Sequence, residues 1–348
     1  MDAWGEWRFI NRQEAIVVSG DRATEFRKDE AREGRLRELN SLLAKLEDEV
    51  TQRFTDPQLP VVFVIGAPRC GSTLLADVLS RTGAFTYVSN FVARFWLAPY
   101  IGMLISHALE IGDDIERPFS SEYGVTEGWS GPHEFGYFWS RWFGNAETHK
   151  LDEADLAKID RTTMARELAA LEHVVGKPLF FKNLLCGPQM SFLADILREA
   201  VFVLCRRDPL YNAQSLLIGR EKVYGSRAAW LSLKPREYKA LIDLPPHDQV
   251  AAQLHYTIED IERSAATLAK GRFLEVRYED LCCQPRTQVG RIREALLALG
   301  TSADWRLELV PERFELRNVQ RLDDEDFQKL RESIGRFSGV HSDGEWTA

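Results

Sequence analysis

The stretch VVFVIGAPRCGSTLLADVLSRTG, Val61 to Gly83, gives the clearest structural signal in the chain. Its apolar start predicts a buried strand, its glycines predict a tight turn, and its amphipathic remainder predicts a helix. The turn places Gly66 and Gly71 at the glycine positions of the phosphate loop G-x-x-x-x-G-K-[ST], with Ser72 at the lysine position and Thr73 at the final hydroxyl position. Loop amides and the positive end of the helix are therefore available to an anion, without the lysine that reaches the outer phosphates of ATP.

Apolar runs of strand length occur at 61–65, 179–181, 201–204 and 273–276. Helical patterns separate them, which is typical of a parallel sheet with helices on both faces. In such sheets a ligand binds beyond the carboxyl ends of the strands. Basic residues follow the four runs: Arg69, Lys182, the pair Arg206 and Arg207, and Arg277. The sequence therefore predicts an α/β fold, a phosphate-loop-like three-layer sandwich, with a polyanionic ligand at one edge of its central parallel sheet.

Composition excludes several function classes. The 348 residues are 45% hydrophobic and 28% charged, as in ordinary globular proteins, and the net charge of −9 argues against general nucleic-acid binding, which requires a basic surface. The five cysteines follow no metal-ligand spacing, and we expect them to be reduced thiols. We recognise no signal-peptide pattern and no apolar run long enough to span a bilayer, so we expect a cytoplasmic protein without a membrane span.

The segments outside the predicted sheet have simpler patterns. Residues 1–20 predict a short hairpin or an arm, and leucines recur at helical spacing between Leu36 and Leu46. We expect residues 1–58 to form this arm and an amphipathic helix whose apolar face packs on the main domain, residues 59–348. A dimerising helix is the alternative, disfavoured because fewer than three heptads are regular. From Ser333 onward, glycine and small polar residues predict a loop or a frayed tail.

A magnesium-dependent nucleotide kinase or NTPase is one enzyme class to weigh. Such an enzyme needs the loop lysine and a metal-holding acid at the end of a neighbouring strand. Here Ser72 replaces the lysine, and the neighbouring strand ends in Cys205, Arg206 and Arg207. We therefore expect the protein to contact the anion directly, with no metal ion between them.

Three motifs carry a resemblance to a known family. GAPRCGSTLLADVLSRTG resembles the 5′-phosphosulfate loop of the sulfotransferases that use 3′-phosphoadenosine-5′-phosphosulfate (PAPS), in the arginine version of tyrosylprotein and many bacterial sulfotransferases. CRRDPLYNAQS resembles their second motif, in which an arginine and a serine eight positions later bind the 3′-phosphate, and Arg207 and Ser215 have that spacing. RYEDLCCQP, followed by a helix over 286–299, resembles a third recurrent stretch. The resemblance implies a PAPS-dependent sulfotransferase that releases 3′,5′-adenosine bisphosphate (PAP).

The resemblance also implies a donor site. The residues expected to bind PAPS are Gly66, Ala67, Pro68, Arg69, Cys70, Gly71, Ser72, Thr73, Arg207 and Ser215. Arg206 is the alternative at the 3′-phosphate, because one arginine of the pair is left for a structural salt bridge. Arg336, in SIGRFSG, is a further candidate, since late glycine-containing loops cover this phosphate in relatives. Asp208 is expected to cap the next helix.

Sulfuryl transfer needs positioning and charge stabilisation more than covalent chemistry. We expect Arg69 to stabilise the oxygen shared with the departing nucleotide. Lys182, in PLFFKNLLCGPQ, resembles the lysine that some sulfotransferases bring to the sulfuryl group, and a surface lysine is the alternative interpretation. Many relatives have a base glutamate soon after the first helix, where this chain has Asn90 and Arg94. A nucleotide-binding scaffold without catalysis therefore stays a third possibility.

The general base is sought in TEGWSGPHEFGYFWSRWF. His133 and Glu134 are the first candidates, because a histidine or a buried glutamate accepts a proton near neutral pH, and Glu127 is the next. Both first candidates are expected at the start of a helix, where capping is an equally good explanation. The aromatics that follow are expected in the core. The acceptor, a small molecule, glycan or lipid with a hydroxyl or amine, is not specified.

Overall fold

The computed structural model describes residues 22–111, 119, 121–122, 125–144 and 147–338. The strands are β1 (Val61–Gly66), β2 (Thr86–Tyr87), β3 (Ser121–Glu122), β4 (Val125–Thr126), β5 (Leu179–Lys182), β6 (Ala200–Arg206) and β7 (Phe273–Arg277). The α-helices are α1 (Glu30–Thr51), α2 (Ser72–Arg81), α3 (Pro99–Ala108), α4 (Gly136–Phe143), α5 (Glu153–Leu156), α6 (Arg161–Val175), α7 (Met190–Ile196), α8 (Pro209–Tyr224), α9 (Tyr238–Leu241), α10 (Pro246–Ala265), α11 (Tyr278–Cys283), α12 (Pro285–Ala298) and α13 (Asp324–Ser338).

One parallel sheet of five strands has the order β2-β5-β1-β6-β7. β1 lies in the centre, pairing with β5 on one side and with β6 along its whole length on the other. The four strands predicted from the sequence are all present, and the parallel arrangement is confirmed. Sequence analysis missed the edge strand β2, because two residues are too short to show a period. β3 and β4 form a separate antiparallel pair.

Alternate residues of β1 face two separate cores. Val61, Phe63 and Ile65 contact the core that contains residues of α4, α6 and α7. Val62 and Val64 contact the other core, with residues of α2 and α12. Helices thus cover both faces of the sheet, which explains why the strand is buried at every position and shows no polar alternation.

The carboxyl ends of the parallel strands meet at one edge of the sheet. Gly66 ends β1 beside Cys205 of β6, and Lys182 ends β5 on the other side of β1. β2 ends at Tyr87, so the irregular segment that starts at Val88 leaves the sheet at the same edge. The topology therefore brings the phosphate-type loop, the second motif and Lys182 to one side of the sheet.

α1 packs on the main domain, but through a different face from the expected one. Its buried residues are Asn40, Ala44, Glu47 and Thr51. Three of its leucines are exposed instead: Leu39, Leu42 and Leu46. The prediction that the leucine face docks on the domain is therefore wrong for these three positions.

Hydrogen bonds to the main chain explain the polar docking face of α1. Both carboxylate oxygens of Glu47 accept from the first turn of α3, at 2.7 Å from the Tyr100 amide and 3.0 Å from the Ile101 amide. Asn40 accepts from the Leu97 amide at 2.8 Å and donates to the carbonyl of Arg94 at 2.7 Å. These groups satisfy buried backbone donors and acceptors, a need that hydrophobic periodicity does not register.

The C-terminal part of the described chain is helical. α13 extends to Ser338 and packs against α8 and α10 through Phe327, Leu330 and Ile334. The loop or frayed tail predicted from Ser333 is therefore wrong for residues 333–338. Residues 339–348 and the arm predicted for 1–20 lie outside the described residues, and the boundary at residue 58 stays a prediction. Within the described ranges, no helix has the length and apolar character needed to cross a membrane.

Candidate active site

The turn between β1 and α2 is built on two glycines. Gly66 has a φ of 153° and Gly71 a φ of 95°. A Cβ at Gly66 would lie 2.5 Å from the carbonyl oxygen of Cys205, and a Cβ at Gly71 would lie 2.5 Å from the ring of Tyr278. Only glycine avoids both contacts, so the loop passes tightly against β6 and α11.

Side chains of β6 and α8, and of the short link between them, fix the direction of the loop carbonyls. Three consecutive carbonyls accept hydrogen bonds: Pro68 from Asn212 Nδ2 at 2.8 Å, Arg69 from Arg207 Nη1 at 3.3 Å, and Cys70 from Cys205 Sγ at 3.2 Å. In a trans peptide the following amide points the opposite way, so the amides of Arg69 and Gly71 face the other side of the loop. The first turn of α2 adds amides without intrahelical partners, and together they suit an anion.

Arg69 joins the loop to the second motif. Its φ of 68° lies in the left-handed region, which is uncommon for a residue with a Cβ. Strain of this kind persists only where the surroundings impose it, and it clusters at functional sites. Arg69 Nε donates to Ser215 Oγ at 3.3 Å, so two residues predicted to hold different ends of one ligand are in direct contact.

Arg207 is fixed against the loop from several directions. Besides the carbonyl of Arg69, it donates to Asn318 Oδ1 at 2.8 Å and to the carbonyl of Arg317 at 2.9 Å. Its guanidinium lies 4.6 Å from the ring centroid of Tyr278. Burial lowers the pKa of Arg207, and the neighbouring Tyr278 and Glu279 oppose that shift. The side chain is therefore a partly desolvated cation placed beside the loop.

Arg206 has a different environment from its neighbour. It forms ion pairs with Glu262 at 2.5 Å and with Glu275 at 3.0 Å. The structural salt bridge expected of one arginine in the pair is therefore confirmed for Arg206. The capping role of Asp208 is also confirmed, since its carboxylate accepts from the Leu210 amide at 2.9 Å.

Lys182 and Glu134 form an ion pair at the end of β5. Lys182 is only 5% exposed and Glu134 is 45% exposed, so the alternative of a surface lysine is wrong. Asn183 Nδ2 donates to the carbonyl of Glu134 at 2.7 Å and holds its backbone as well. The charge of Lys182 also reaches the loop. The pKa of the Cys70 thiol is lowered to about 7, mainly by a hydrogen bond with Cys205, and the positive charge of Lys182 contributes to that shift.

The comparison with family models agrees with this geometry. The model described as the sulfotransferase family matches residues 60–298, which contain the loop, Lys182 and the second motif. The chain belongs to the sulfotransferase family.

Individual relatives of this member of the sulfotransferase family are distant. The omega-hydroxy-beta-dihydromenaquinone-9 sulfotransferases Stf3 of Mycobacterium bovis and Mycobacterium tuberculosis are 23% identical over 251 residues, 68% of this chain and 62% of theirs. Sulfotransferase STF1 from Mycobacterium tuberculosis H37Rv matches with a TM-score of 0.54 at 14% identity, over 96% of this chain and 92% of that one. STF9 from Mycobacterium avium matches with a TM-score of 0.50 at 13% identity, over 94% and 82%. At such identities the solved structures support the fold alone.

The two base candidates of the sulfotransferase precede α4, which begins at Gly136 and has no side-chain cap. Glu134 accepts no hydrogen bond from an amide of α4, whereas His133 accepts from the amide of Phe135, the residue directly before the helix, so the capping alternative holds in part for His133. His133 Nδ1 accepts from the Phe135 amide at 2.8 Å, and burial lowers the pKa of His133 to about 4. The ring is neutral near pH 7, and the accepted bond assigns its proton to Nε2, so neither nitrogen has a lone pair to spare.

The aromatics after Glu134 lie in the core, as expected. Phe135, Phe138, Trp139 and Phe143 are buried among residues of β1 and β5. Trp139 contacts Phe63 and Phe181 edge-on, with ring centroids 5.8 and 5.1 Å apart. Phe135 has a φ of 54°, a second strained residue beside the site. The aromatic anchor therefore fixes where the chain presents Glu134.

Glu127 lies earlier in the same segment and is exposed. Asn90, which follows β2, ties the loop around it by donating to the carbonyls of Thr126 and Gly128, both at 2.8 Å. The Asn90 amide also donates to the carbonyl of Gly131 at 2.8 Å. Asn90 is thus a structural residue that holds the loop.

Sequence analysis missed the segment that lies beside Arg207. Residues 317–322 run along α8, where Gln214 accepts from the Arg321 amide at 2.7 Å and donates to the carbonyl of Val319 at 2.8 Å. The available signal was a glutamine at a buried helical position next to Ser215.

Arg336 lies in α13, not in a loop, and pairs with Asp248 of α10. Arg277 is 53% exposed and comes only within 4.0 Å of Glu279.

The described residues of the site thus combine a tight glycine turn, three cations and one accessible carboxylate. The cations are Arg69, Lys182 and Arg207, and the carboxylate is Glu134. Among the described residues, no group of three or more His, Cys, Asp or Glu side chains is arranged to hold a metal ion. Such a site can bind a polyanion and withdraw a proton beside it.

Proposed function

We propose that this sulfotransferase transfers a sulfuryl group from PAPS to a hydroxyl or amine acceptor, by in-line attack assisted by a general base. One observation carries the proposal. The loop and the second motif form one unit, since Arg69 Nε donates to Ser215 Oγ and Arg207 donates to the carbonyl of Arg69. PAPS carries anionic groups on the 5′ and 3′ sides of one nucleoside, and two adjacent cationic positions match such a ligand.

The donor is held by residues 66–73 together with Arg207 and Ser215, with no metal ion required. The loop amides and the start of α2 bind the 5′ end. Arg207 binds the 3′-phosphate in preference to Arg206, because Glu262 and Glu275 already neutralise Arg206. Its position against Tyr278 keeps the guanidinium oriented before the ligand arrives.

Arg69 and Lys182 stabilise the charge that develops during transfer. The attacking oxygen bonds to sulfur while the bond from sulfur to the bridging oxygen breaks, and that oxygen leaves as part of PAP. An ammonium or guanidinium group stabilises developing negative charge most strongly in a site from which water is excluded. Lys182 is only 5% exposed, pairs with Glu134 and lies in register with Val64 near the end of β1, which suits a role at the sulfuryl oxygens.

Glu134 is the general base. It accepts the proton of the acceptor hydroxyl, or an N–H proton of a neutral amine acceptor, as the oxygen or nitrogen forms its bond to sulfur. The attacking atom approaches the sulfur atom that carries the sulfuryl oxygens. The base that deprotonates the acceptor and the cation that stabilises those oxygens must therefore be neighbours, as Glu134 and Lys182 are. His133 is less suited, because its Nδ1 is occupied by the Phe135 amide.

The acceptor class is a hydroxyl- or amine-bearing small molecule, glycan or lipid. The relatives named above act, by their name, on a hydroxylated menaquinone derivative. That likeness supports a hydroxyl acceptor for this chain and leaves its size open. A cytoplasmic location stays a prediction.

Calorimetry separates the proposal from its rivals. PAP and ATP are titrated into the protein, each with and without magnesium, and we expect a metal-independent preference for PAP. Magnesium-dependent binding of ATP would contradict this and favour a nucleotide kinase. Acceptors are then screened with PAPS by mass spectrometry for the added sulfuryl group, and tight PAP binding with no product on a broad panel would favour a non-catalytic scaffold.

A further inference from the structure

Three basic side chains lie on the acceptor side of the site and have no role in the proposed transfer. They are Lys28, Arg32 and Arg94, termed the Arg94 cluster. Arg94 ends the short 3-10 helix Val92–Arg94 that follows β2, and Lys28 and Arg32 flank the start of α1. In a protein with a net charge of −9, such a concentration of positive charge needs an explanation.

The guanidinium of Arg94 has no hydrogen bond or ion pair with any residue that the structure describes, and its Nε is buried. Burial lowers the pKa of Arg94, and the charge of Arg32 lowers it further. Arg94 is half-buried, and a donor such as its Nε that is shielded from water and has no acceptor is costly unless a partner arrives. The arrangement therefore resembles a binding site more than a structural contact.

The nearby carboxylate does not neutralise the cluster. Glu33 accepts from the hydroxyl of Tyr137 at 2.5 Å and pairs with Lys28 at 3.6 Å. Burial raises the pKa of Tyr137, so its hydroxyl stays protonated and adds no negative charge. In the part of the chain that the structure describes, Glu33 is the carboxylate that acts on Arg94 and Lys28, and it is already engaged.

The Arg94 cluster adjoins the catalytic pair. After burial, the groups that act on the pKa of His133 are Glu134, Arg94, Lys182 and Lys28. Tyr137, which follows Glu134 in the chain, donates to Glu33 and lies under Lys28, with the ammonium 4.0 Å from its ring centroid, so the Arg94 cluster and the ion pair at the end of β5 are neighbours. A molecule whose reacting group lies at Glu134 extends past His133 into positive potential.

We infer that the Arg94 cluster binds an anionic group, a carboxylate, phosphate or sulfate, carried by the acceptor itself. This inference rests on the proposed function, because it names a class of acceptor for the same site. A guanidinium offers two parallel donors to a carboxylate or phosphate, which fixes the orientation of the acceptor as well as attracting it. An uncharged acceptor would leave the Arg94 guanidinium without a partner.

Matched pairs of acceptors test the inference. The probes are 4-hydroxyphenylacetate with 4-hydroxyphenylacetamide, and the longer 12-hydroxydodecanoate with 12-hydroxydodecanamide, titrated calorimetrically into the protein saturated with PAP. We expect at least one carboxylate to bind about tenfold to a hundredfold more tightly than its amide. Arg94→Gln should remove that preference and leave amide and PAP affinities unchanged.

Three further variants keep the test independent of folding. Arg32→Gln changes an exposed side chain of the cluster and should weaken carboxylate binding to a smaller extent. Arg35→Gln, an exposed arginine one helical turn away, is the matched control and should leave all affinities unchanged. Arg94→Lys should retain part of the preference for the carboxylate, because it keeps the positive charge and loses the two parallel donors of the guanidinium.

Several outcomes would overturn the inference: no carboxylate binding, equal affinity within each pair, or equal losses for acid and amide in Arg94→Gln. Failure of the proposed function looks different. In that case PAP does not bind the wild-type protein, and this result does not depend on whether the acceptor probes bind in the absence of PAP.

Discussion

The proposed donor side and the proposed acceptor side of the site are built in different ways. The donor side consists of residues directly after buried strands, such as Arg69 and Arg207, and its loop is fixed by hydrogen bonds to backbone carbonyls. The acceptor side consists of irregular segments after β2 and before α4, completed by the start of α1. Sheet topology determines the first arrangement, whereas individual side chains such as Asn90 and Phe135 determine the second. The donor side is therefore predictable from short motifs and the acceptor side is not.

The largest expected effect concerns Arg69 and Lys182, the two cations proposed to act on the sulfuryl group. Arg69→Ala and Lys182→Ala should each lower kcat about a hundredfold to a thousandfold, because each removes a preorganised group that stabilises transferred charge. Turnover with PAPS is measured on variants whose circular dichroism matches the wild type. Lys270→Ala, at an exposed lysine, is the control. Near-normal rates from folded variants of Arg69 and Lys182 would remove both assignments.

The next prediction sharpens the acceptor side. Glu134→Gln should lower kcat at least about a hundredfold, since a positioned base contributes that much or more. His133→Asn should cost less than about tenfold, because the neutral ring has no free lone pair. Rates are compared across pH with saturating PAPS. The opposite order, with the acidic limb of the profile lost only in His133→Asn, would make His133 the base, and no loss in either variant would redirect the search to Glu127.

A smaller effect separates the two neighbouring arginines. Arg207→Gln should weaken PAP binding about tenfold to a hundredfold, because a charge-assisted contact with a phosphate is lost. Arg206→Gln should change the affinity by less than about twofold, since its partners are Glu262 and Glu275. Calorimetric titration of PAP gives both values. A larger loss in Arg206→Gln would reverse the assignment and place the 3′-phosphate on the other side of β6.

The sequence predicted the sheet because its central strands are apolar and separated by helices of ordinary length. It predicted the loop because glycine alone tolerates the contacts at Gly66 and Gly71. It did not predict β2, which has two residues, or the segment 317–322, which is held by one buried glutamine. Short elements of this kind depend on tertiary hydrogen bonds, which leave no periodic pattern.

The acceptor side could not be ordered from the sequence for a related reason. His133 and Glu134 are adjacent, and both residue types serve as bases. Their difference depends on one hydrogen bond from the Phe135 amide and one ion pair with Lys182. Neither contact follows from residue spacing, because one requires a left-handed residue and the other joins segments 48 residues apart.

The smallest expected effect tests how α1, which supplies part of the acceptor side, is attached. Glu47→Ala should lower the free energy of unfolding by about 2 kcal/mol, because two amides at the start of α3 lose their acceptor. Leu42→Ser should change it by less than about 0.5 kcal/mol, since Leu42 is 74% exposed. Urea unfolding measures both. A larger loss in Leu42→Ser would mean that the leucine face is covered in solution.

The pH dependence of stability gives Glu47 a second test with a defined sign. Burial raises the pKa of Glu47 from 4.5 to about 8, although the hydrogen bonds from Tyr100 and Ile101 oppose the shift. Between about pH 4.5 and 8 the folded state therefore keeps a proton on Glu47 that the unfolded state has released. The contribution of Glu47 to the free energy of unfolding is complete below about pH 4.5 and is lost as the pH rises towards 8. Glu47→Gln has no such group, so unfolding curves at several pH values should show a smaller decline between pH 5 and 8 than in the wild type. An unchanged decline would mean that the carboxylate stays ionised in the folded state, held by the two amides at the start of α3.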